Sequence, residues 1–417
     1  MKKADILILG AGCSGTSLAH YLENFGFKGN IVLLDGRTTF DREQRWCSWS
    51  ELPESMTSLA RKSWQKWTVR DESGSAACAS ENFLYQQVYA PQFFSHFHSG
   101  WQKSNSSIKL NLGERVEQVI ETENFVEVGT KTETWQADIV FDARHEGNPT
   151  LEAIKNASRE IYLHQTFIGW EIEFADAVFD DKTATLMDFR TAQIKGVNFI
   201  YVLPYSDRKA LVESTSFSAD PLDSQSHSRA LEKYIAENYG ENYEIKSIET
   251  GQLPMTSAKF PTKTSERIFN IGIAGGNARP SSGYAFHRIQ RQTSEIARAI
   301  VNRKSLPKTF ASSKYSFFDD VFLNLIAKNP ALAKDAFMTL FKKVSPDTLI
   351  RFLTDESSVA DDLAIVAALP KIHFGKLGIQ TVLRNLATKN ETSKHLSTLC
   401  NPVVNSSRRL SARQISG

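Results

Sequence analysis

Cysteine is scarce in this chain of 417 residues, and its four copies, at positions 13, 47, 78 and 400, fall at no metal-ligand or redox spacing. A disulfide framework is thereby excluded, and the pattern is that of a reducing cytoplasm. Net charge is also lacking, with 49 Lys and Arg against 47 Asp and Glu, so the overall balance gives no ground for a nucleic-acid partner and none is expected. No apolar window approaches the length of a membrane-crossing helix, so any membrane contact is expected to be peripheral. The short apolar run behind Lys2 and Lys3 ends in a glycine turn, which separates it from a signal peptide. Repeats are absent as well.

What is present begins at that turn. Ala4 to Leu9 is an apolar run of strand length that feeds Gly10-Ala11-Gly12-Cys13-Ser14-Gly15 and then a helical pattern through Leu18, Leu22 and Phe25. Gly10 permits the tight turn, Gly12 lets backbone approach a pyrophosphate, and Gly15 lets the helix pack close to the strand. A second apolar run, Asn30 to Leu34, ends at Asp35, twenty residues beyond Gly15, where a carboxylate can accept from ribose hydroxyls. An acid there argues for FAD or NAD rather than NADP.

Further along, Arg42 and Arg45 flank a segment with two Trp and are candidates to meet the pyrophosphate. Residues 56 to 100 are rich in aromatics, with a helix opening at Pro91. Short strands are expected over Ile108–Leu112, Val116–Ile120 and Phe125–Val128, and a buried strand from Trp135 towards Arg144. From His164 to Phe217 the pattern alternates, which predicts an antiparallel sheet with one face able to wall an apolar pocket. Glu213 stands in Ala210-Leu211-Val212-Glu213-Ser214-Thr215. A carboxyl there is either desolvated and protonated at neutral pH, or an outward residue on a solvated face.

A helix is expected over 227–239. A second strand and glycine loop comes after it, Ile268 to Gly276 and then Asn277 to Phe286, running into a helix through Ile300. Residues 315–369 carry Phe and Leu at helical spacings, which reads as core packing or as an interfacial surface. From Lys371 onward eight Lys and Arg face one acid, a basic tail able to rest on anionic lipid.

Taken together, several segments resemble the bacterial lycopene β-cyclase family, flavoproteins of carotenoid biosynthesis, between Ala4 and about Leu369. They are the glycine turn, Arg45-Trp46-Cys47-Ser48-Trp49, His164-Gln165 through Trp170, Leu186 to Arg190, Tyr201 to Pro204, Ala210 to Thr215, Leu253 to Thr256, and Arg279 to Phe286. The chain departs from the family after Asp142-Ala143-Arg144, where a Pro-rich turn is usual, and at Ser214, where an aromatic usually follows the key Glu.

The resemblance implies an α/β fold: a Rossmann-type FAD-binding domain interleaved with an antiparallel-sheet substrate domain, plus a C-terminal helical region. The expected boundaries are 1–150 and 265–310 for the first, with an insertion around 50–110, and 151–264 for the second. A helical region over 311–389, a candidate membrane-docking surface, and a basic tail over 390–417 complete the chain. The resemblance also implies non-redox cyclisation of the acyclic ends of lycopene to β-ionone rings by reduced FAD, with NAD(P)H as reductant. Glu213 is the expected acid or base, and Trp170, Tyr201 and Tyr284 the pocket aromatics able to assist a cation. Cofactor contacts are expected from Gly10, Gly12, Gly15, Asp35, Arg42, Arg45, Gly275, Gly276, Ser282 and Gly283. No metal is expected, and the setting implied is the cytoplasmic face of a membrane. Two other classes share these features: an FAD-dependent monooxygenase acting on a hydrophobic substrate, against which the missing Asp-Gly pair at 142–143 speaks, and a non-catalytic carotenoid-binding protein, which would not need Glu213.

Overall fold

The computed structural model divides into two compact units, Met1–Lys371 and Ile372–Gly417. It describes residues 1–370 except 42, 50–51, 104–105, 157–160 and 308–312, and beyond them only 375, 378 and 381. Arg42 and the basic tail over 390–417 therefore lie outside the described residues, and every element named below belongs to the first unit.

Along the chain run β1 (Lys2–Leu9), α1 (Cys13–Asn24), β2 (Ile31–Asp35), β3 (Arg45–Ser48), β4 (Ala60–Trp64), β5 (Lys66–Asp71), β6 (Gly74–Ala79) and β7 (Tyr85–Tyr89). Next come α2 (Ala90–Lys103), β8 (Ile108–Leu112), β9 (Val116–Glu121), β10 (Val126–Thr130), β11 (Thr134–Asp142) and α3 (Pro149–Asn156). They are followed by β12 (Tyr162–Phe174), β13 (Thr183–Asp188), β14 (Val197–Pro204), β15 (Lys209–Ser218), α4 (Ser224–Asn238), β16 (Tyr243–Thr256), β17 (Ile268–Asn270) and α5 (Phe286–Val301). Four helices close the unit: α6 (Ser313–Lys328), α7 (Pro330–Lys343), α8 (Pro346–Leu353) and α9 (Val359–Ala368).

Three sheets result. The first has the order β8-β2-β1-β11-β10-β9, with β17 added beside β11. Its strands β8, β2, β1, β11 and β17 are parallel, and β10 and β9 are antiparallel. Both faces are covered, which is why β1 reads as a continuous apolar run. Ile6 and Ile8 pack against Leu18, Leu22, Phe93 and Ile296 of the helices, while Leu7 and Leu9 pack with Val32, Val128 and Trp135. Each such side chain removed from water contributes about 1.5–3 kcal/mol.

The second sheet has the order β16-β12-β15-β14-β13-β5-β6, antiparallel except where β13 meets β5. Helix α4 covers one of its faces, burying Leu231 and Ile235 against Trp170, Ile172, Val202 and Val212. The third sheet, β3-β7-β4, comes from residues whose mixed and aromatic sequence gives no strand expectation. Strand β16 is likewise unmarked in the sequence, since its outer half mixes charged residues with isolated Ile245 and Ile248 at no strand period.

Three strands end in the same clasp. Asp35, Asp142 and Asp188 close β2, β11 and β13, and each binds the Arg two residues on, Arg37, Arg144 and Arg190. One carboxylate oxygen takes the backbone N–H and Nε of the Arg, and the other takes Nη2 at 2.6–2.7 Å.

The Phe-rich C-terminal helices are core. Phe318 meets Phe352 at 5.3 Å between ring centroids, and Phe337 lies between Phe322 (5.9 Å) and Phe189 of the second sheet's β13 end (6.5 Å). A buried ionic knot ties these helices to the loop over 277–284. Arg279, 1 % exposed, binds Asp319 through Nε at 2.8 Å and the Phe352 carbonyl through Nη1 at 2.8 Å, with Asp355 at 3.7 Å. Arg288 of α5 bridges the same two aspartates. Removing one member leaves an uncompensated buried charge. Asp319→Ala is therefore expected to lower unfolding stability by about 3–5 kcal/mol, read as a shift of the urea midpoint.

Candidate functional site

At the end of β1 the chain turns at Gly10, whose φ of +95° favours glycine. A Cβ on Gly15 would stand 2.0 Å from the Gly10 carbonyl oxygen, so the close approach of α1 to the turn requires glycine there. Gly12 is the N-cap of α1 and brings no side-chain cap, and the first turn carries no acid. Free N–H groups and the positive end of a twelve-residue helix are thus offered to an anion. A Cβ on Gly12 would meet only Nη2 of Arg37, at 3.7 Å, so the space over the turn is open to a pyrophosphate.

Asp35 is 6 % exposed and lies beside this turn. Its Oδ2 accepts from Ala11 N (2.7 Å) and Arg37 Nη2 (2.7 Å), and its Oδ1 from Arg37 N and Nε (2.9 Å each). Desolvation alone would raise its pKa, but the bonds and charge of Arg37 bring it below the usual carboxylate range. All four lone-pair positions are taken, so a ribose hydroxyl reaches Asp35 only when Arg37 turns aside.

The second glycine loop abuts the first. Gly272 has φ +66°, and a Cβ on it would lie 2.4 Å from the Ser14 hydroxyl of α1. The sequence points to Gly275 and Gly276 instead. Gly275 packs against the Asn270 carbonyl and Gln292, and Gly276 takes the left-handed conformation that ends the short helix before it. Gly283, at φ +71°, lies against Gln165 of β12. Gln165 Oε1 and the neighbouring Ser282 Oγ are buried without a hydrogen-bond partner. Orphaned polar atoms beside a glycine loop, an uncapped helix end and an open Gly12 together fit a flavin dinucleotide.

The inner face of the second sheet carries the carboxyl groups. Cross-strand register aligns Tyr201 of β14, Glu213 of β15, Gly169 of β12 and Glu249 of β16 in one row. Gly169 has no side chain, and a Cβ there would lie 3.0 Å from Glu249 Cγ and from Leu211 Cδ1. The two carboxyl groups meet over this gap and hydrogen-bond to each other. Thr215 also donates to Glu213 Oε1 at 2.6 Å. Glu249 is 3 % exposed and Glu213 half-buried. Desolvation, the largest influence on both, raises them: Glu213 to about 7, and Glu249 well above the carboxylate range, with repulsion from Glu213 added and Arg45 opposing. At neutral pH the pair holds a proton.

One row away on the same face, Glu171 is ringed by cations. Arg61 binds both its oxygens (2.9 and 3.0 Å), Arg45 reaches it at 2.5 Å and Lys209 at 2.8 Å. Although desolvation works against ionisation, these bonds hold it down at about 2.

Arg45, expected at the pyrophosphate, is spent here: on Glu43, Glu171, Ser247 and, at 3.4 Å, Glu249. It is drawn to this face because β3 pairs with β7. Cys47, two residues on, is a neutral thiol pushed up to about 12 by burial, hydrogen-bonded with Tyr201 and Tyr85.

Aromatic rings surround the pair. The Tyr201 and Tyr85 hydroxyls are hydrogen-bonded to each other, and Tyr284 stands beside Tyr85 and Trp49, whose indole N–H is buried without a hydrogen-bond partner. Trp49 lies 4.4 Å from both Trp67 and Tyr85, centroid to centroid. Trp170 does not join them. It stands next to Gly169 in β12, so the alternation of the strand turns it to the other face, into the core under α4. Ser214 turns the same way and bonds to His227 of α4 at 2.9 Å, so its departure from the family pattern lies behind the sheet. A cavity of about 390 Å³ between α3 and the segment around Ala258 contains none of these residues.

With this geometry in hand, comparison with known proteins is decisive on family. The model of the lycopene cyclase protein family matches residues 5–377. The chain belongs to that family. A lycopene beta-cyclase of Paracoccus sp. is 28% identical over 228 residues, covering 51% of this chain and 58% of that protein. The chain thus matches somewhat more than half of that relative's length. Among solved structures, a geranylgeranyl bacteriochlorophyll reductase-like protein of Thermoplasma acidophilum has the same fold, with a TM-score of 0.61 at 15% identity over 90% of this chain and 99% of that one. A variant of HpxO from Klebsiella pneumoniae complexed with FAD has a TM-score of 0.58 at 12% identity, over 85% and 98%. The α/β fold is therefore shared with these two proteins, one of them an FAD complex.

Sequence reasoning missed Glu249, Gly169, Glu171 and Gly272. A signal existed for Gly169, since an isolated glycine within a strand marks a close approach. Gly169→Ala tests that approach. The added methyl forces Glu249 or Leu211 aside, and a loss of about 1–3 kcal/mol is expected in thermal unfolding.

Proposed function

We propose that this protein cyclises the acyclic ends of lycopene to β-ionone rings, giving γ-carotene and β-carotene without net redox change. The observation that carries this reading is the Glu213 carboxyl, aligned with Glu249 across Gly169 and beside Tyr201, where desolvation raises it to about 7. Cyclisation of a polyene needs a strong acid in a dry place and an electron-rich wall. Glu213 gives its proton to the terminal double bond, producing a tertiary carbocation. The neighbouring double bond attacks that carbon, and loss of a proton from the new ring restores neutrality, so substrate and product are isomers. Tyr201, Tyr85 and Trp49 present ring faces that stabilise the cation, worth about 0.5–2 kcal/mol each when desolvated.

FAD would be held at its pyrophosphate by Gly10, Gly12, Gly15 and the N-terminus of α1, at its ribose by Asp35 once Arg37 swings off, and at its ring end by the loops of Gly272, Gly275, Gly276, Ser282 and Gly283. Bound and reduced by NAD(P)H, it supplies an electron-rich ring that stabilises positive charge electrostatically.

The substrate dissolves in lipid, and α9 suggests where the protein meets it. The exposed face of this helix is wholly apolar, Val359, Ala360, Leu363, Ala364, Val366 and Ala367, with Leu363 65 % exposed. Its Asp361 turns inward to Arg351 at 2.6 Å. Among the described residues no helix is long and apolar enough to cross a membrane. An apolar helix face just before a segment rich in Lys and Arg suits peripheral docking on anionic lipid at the cytoplasmic face.

Anaerobic incubation with FAD, NADPH and lycopene in liposomes, read by pigment chromatography, tests the activity. Glu213→Gln is expected to lose ring closure by on the order of 10²-fold or more while keeping its flavin. Because Glu213 acts as an acid with its pKa raised to about 7, activity is expected to fall as pH rises through that value. Oxygen-dependent NADPH consumption with unchanged lycopene would instead establish a monooxygenase. Leu363→Asp is expected to reduce flotation with anionic liposomes while leaving thermal unfolding unchanged.

A further inference from the structure

Ring closure by Glu213 leaves Glu249 without a task, yet the fold spends much on it. Its carboxyl is buried on an outer strand of the sheet, opposite the one position in β12 where an absent side chain opens a path to Glu213. A buried carboxyl without purpose would be replaced at a gain in stability by an apolar residue.

We propose that Glu249 is a positioning residue that acts through Glu213, its carboxyl donating a hydrogen bond across the Gly169 gap to the carboxylate that Glu213 becomes on giving up its proton. The inference rests on the reading of Glu213 as the acid. A buried carboxylate left alone is a poor leaving partner for a proton, because nothing replaces the water that would solvate it. An adjacent O–H and the hydroxyl of Thr215, at 2.6 Å, take the place of that water. Glu213 thereby becomes a stronger acid at the moment of transfer without being ionised beforehand.

Arg45 sets the charge of the pair. Its Nη1 lies 3.4 Å from Glu249, but its shortest contact is to Glu171, which is ionised and shared with Arg61 and Lys209. Much of its charge is thus answered before it reaches the pair, so Glu249 keeps its own proton after Glu213 has given up the one it held. The other titratable groups facing the pair are Tyr201 on β14, Cys47 on β3, Tyr85 on β7 and, against Arg45, Tyr205. Burial raises all four, so they stay neutral through the range in which the pair titrates.

Two substitutions of Glu249 separate donation from mere packing. Glu249→Gln keeps a neutral N–H donor, so cyclisation is expected to survive with the alkaline limb of its pH profile in its native place. Glu249→Leu removes the donor, and loss of ring closure on the order of 10²-fold is expected with flavin content and lycopene binding retained. Loss of ring closure or a displaced alkaline limb in folded, flavin-loaded Glu249→Gln would overturn the proposal even if Glu249→Leu failed to fold. If Glu213→Gln cyclised lycopene as well as the native protein, the reading of Glu213 would fall instead. Carboxyl-stretch infrared difference spectra of the flavin-loaded protein give an answer independent of turnover. A protonated carboxyl band that outlasts the alkaline limb of activity is expected in the native protein and in Glu213→Gln and is expected to be absent from Glu249→Gln, and its loss in the first variant or persistence in the second would overturn the proposal.

Discussion

Taking a carboxyl group out of water raises the cost of ionising it, and the inner face of the second sheet is organised around that cost. Two neighbouring rows meet it in opposite ways. Glu171 is surrounded by Arg45, Arg61 and Lys209 and stays charged, whereas Glu213 and Glu249 have each other and one distant face of Arg45, and keep a proton. The same residue type, about one row apart, is thereby a fixed anion in one place and an acid in the other. Register decides which: the cations of β3, β4 and the start of β15 fall opposite Glu171, and a glycine falls opposite the pair.

The features legible in the sequence are those written in consecutive residues. The glycine turn, the strand that ends in Asp35 and the alternation from His164 to Phe217 all follow from local pattern, whereas that pattern alone leaves Glu213 open between a desolvated and an outward place. The resemblance to lycopene cyclases, confirmed by the family match over 5–377, draws on the same stretches. What escapes is set by pairing between distant segments. Glu249 lies 36 residues beyond Glu213, and nothing near it announces that β16 runs alongside β12 with Gly169 between them. Arg45 looks like a phosphate ligand because it comes after the nucleotide-binding segment, but β7 carries it to the carboxylates. Trp170 differs from its expected place by one position, and in a strand one position is the difference between two faces.

Asp35 occupies a middle ground. Its place at the end of β2 is readable, but its clasp on Arg37 is not, although the same Asp-x-Arg spelling recurs at Asp142 and Asp188 with the same geometry. The clasp fixes the chain as it leaves each strand, so these aspartates shape the backbone before they serve any ligand. Asp35 also accepts from Ala11, and so couples the exit of β2 to the shape of the glycine turn.

The ionic knot at Arg279 has a consequence for how the protein is made. The loop over 277–284, which carries Gly283 and Tyr284, is anchored by Asp319 and Asp355, while the parallel sheet that begins at Lys2 is completed only by β17 near residue 270. A ribosome must therefore deliver about two-thirds of the chain before the first-made strand's sheet receives its last strand. Until then the parallel sheet waits with an unfinished edge, and the loop over 277–284 waits longer still, for α6 and the turn after α8 to bring Asp319 and Asp355.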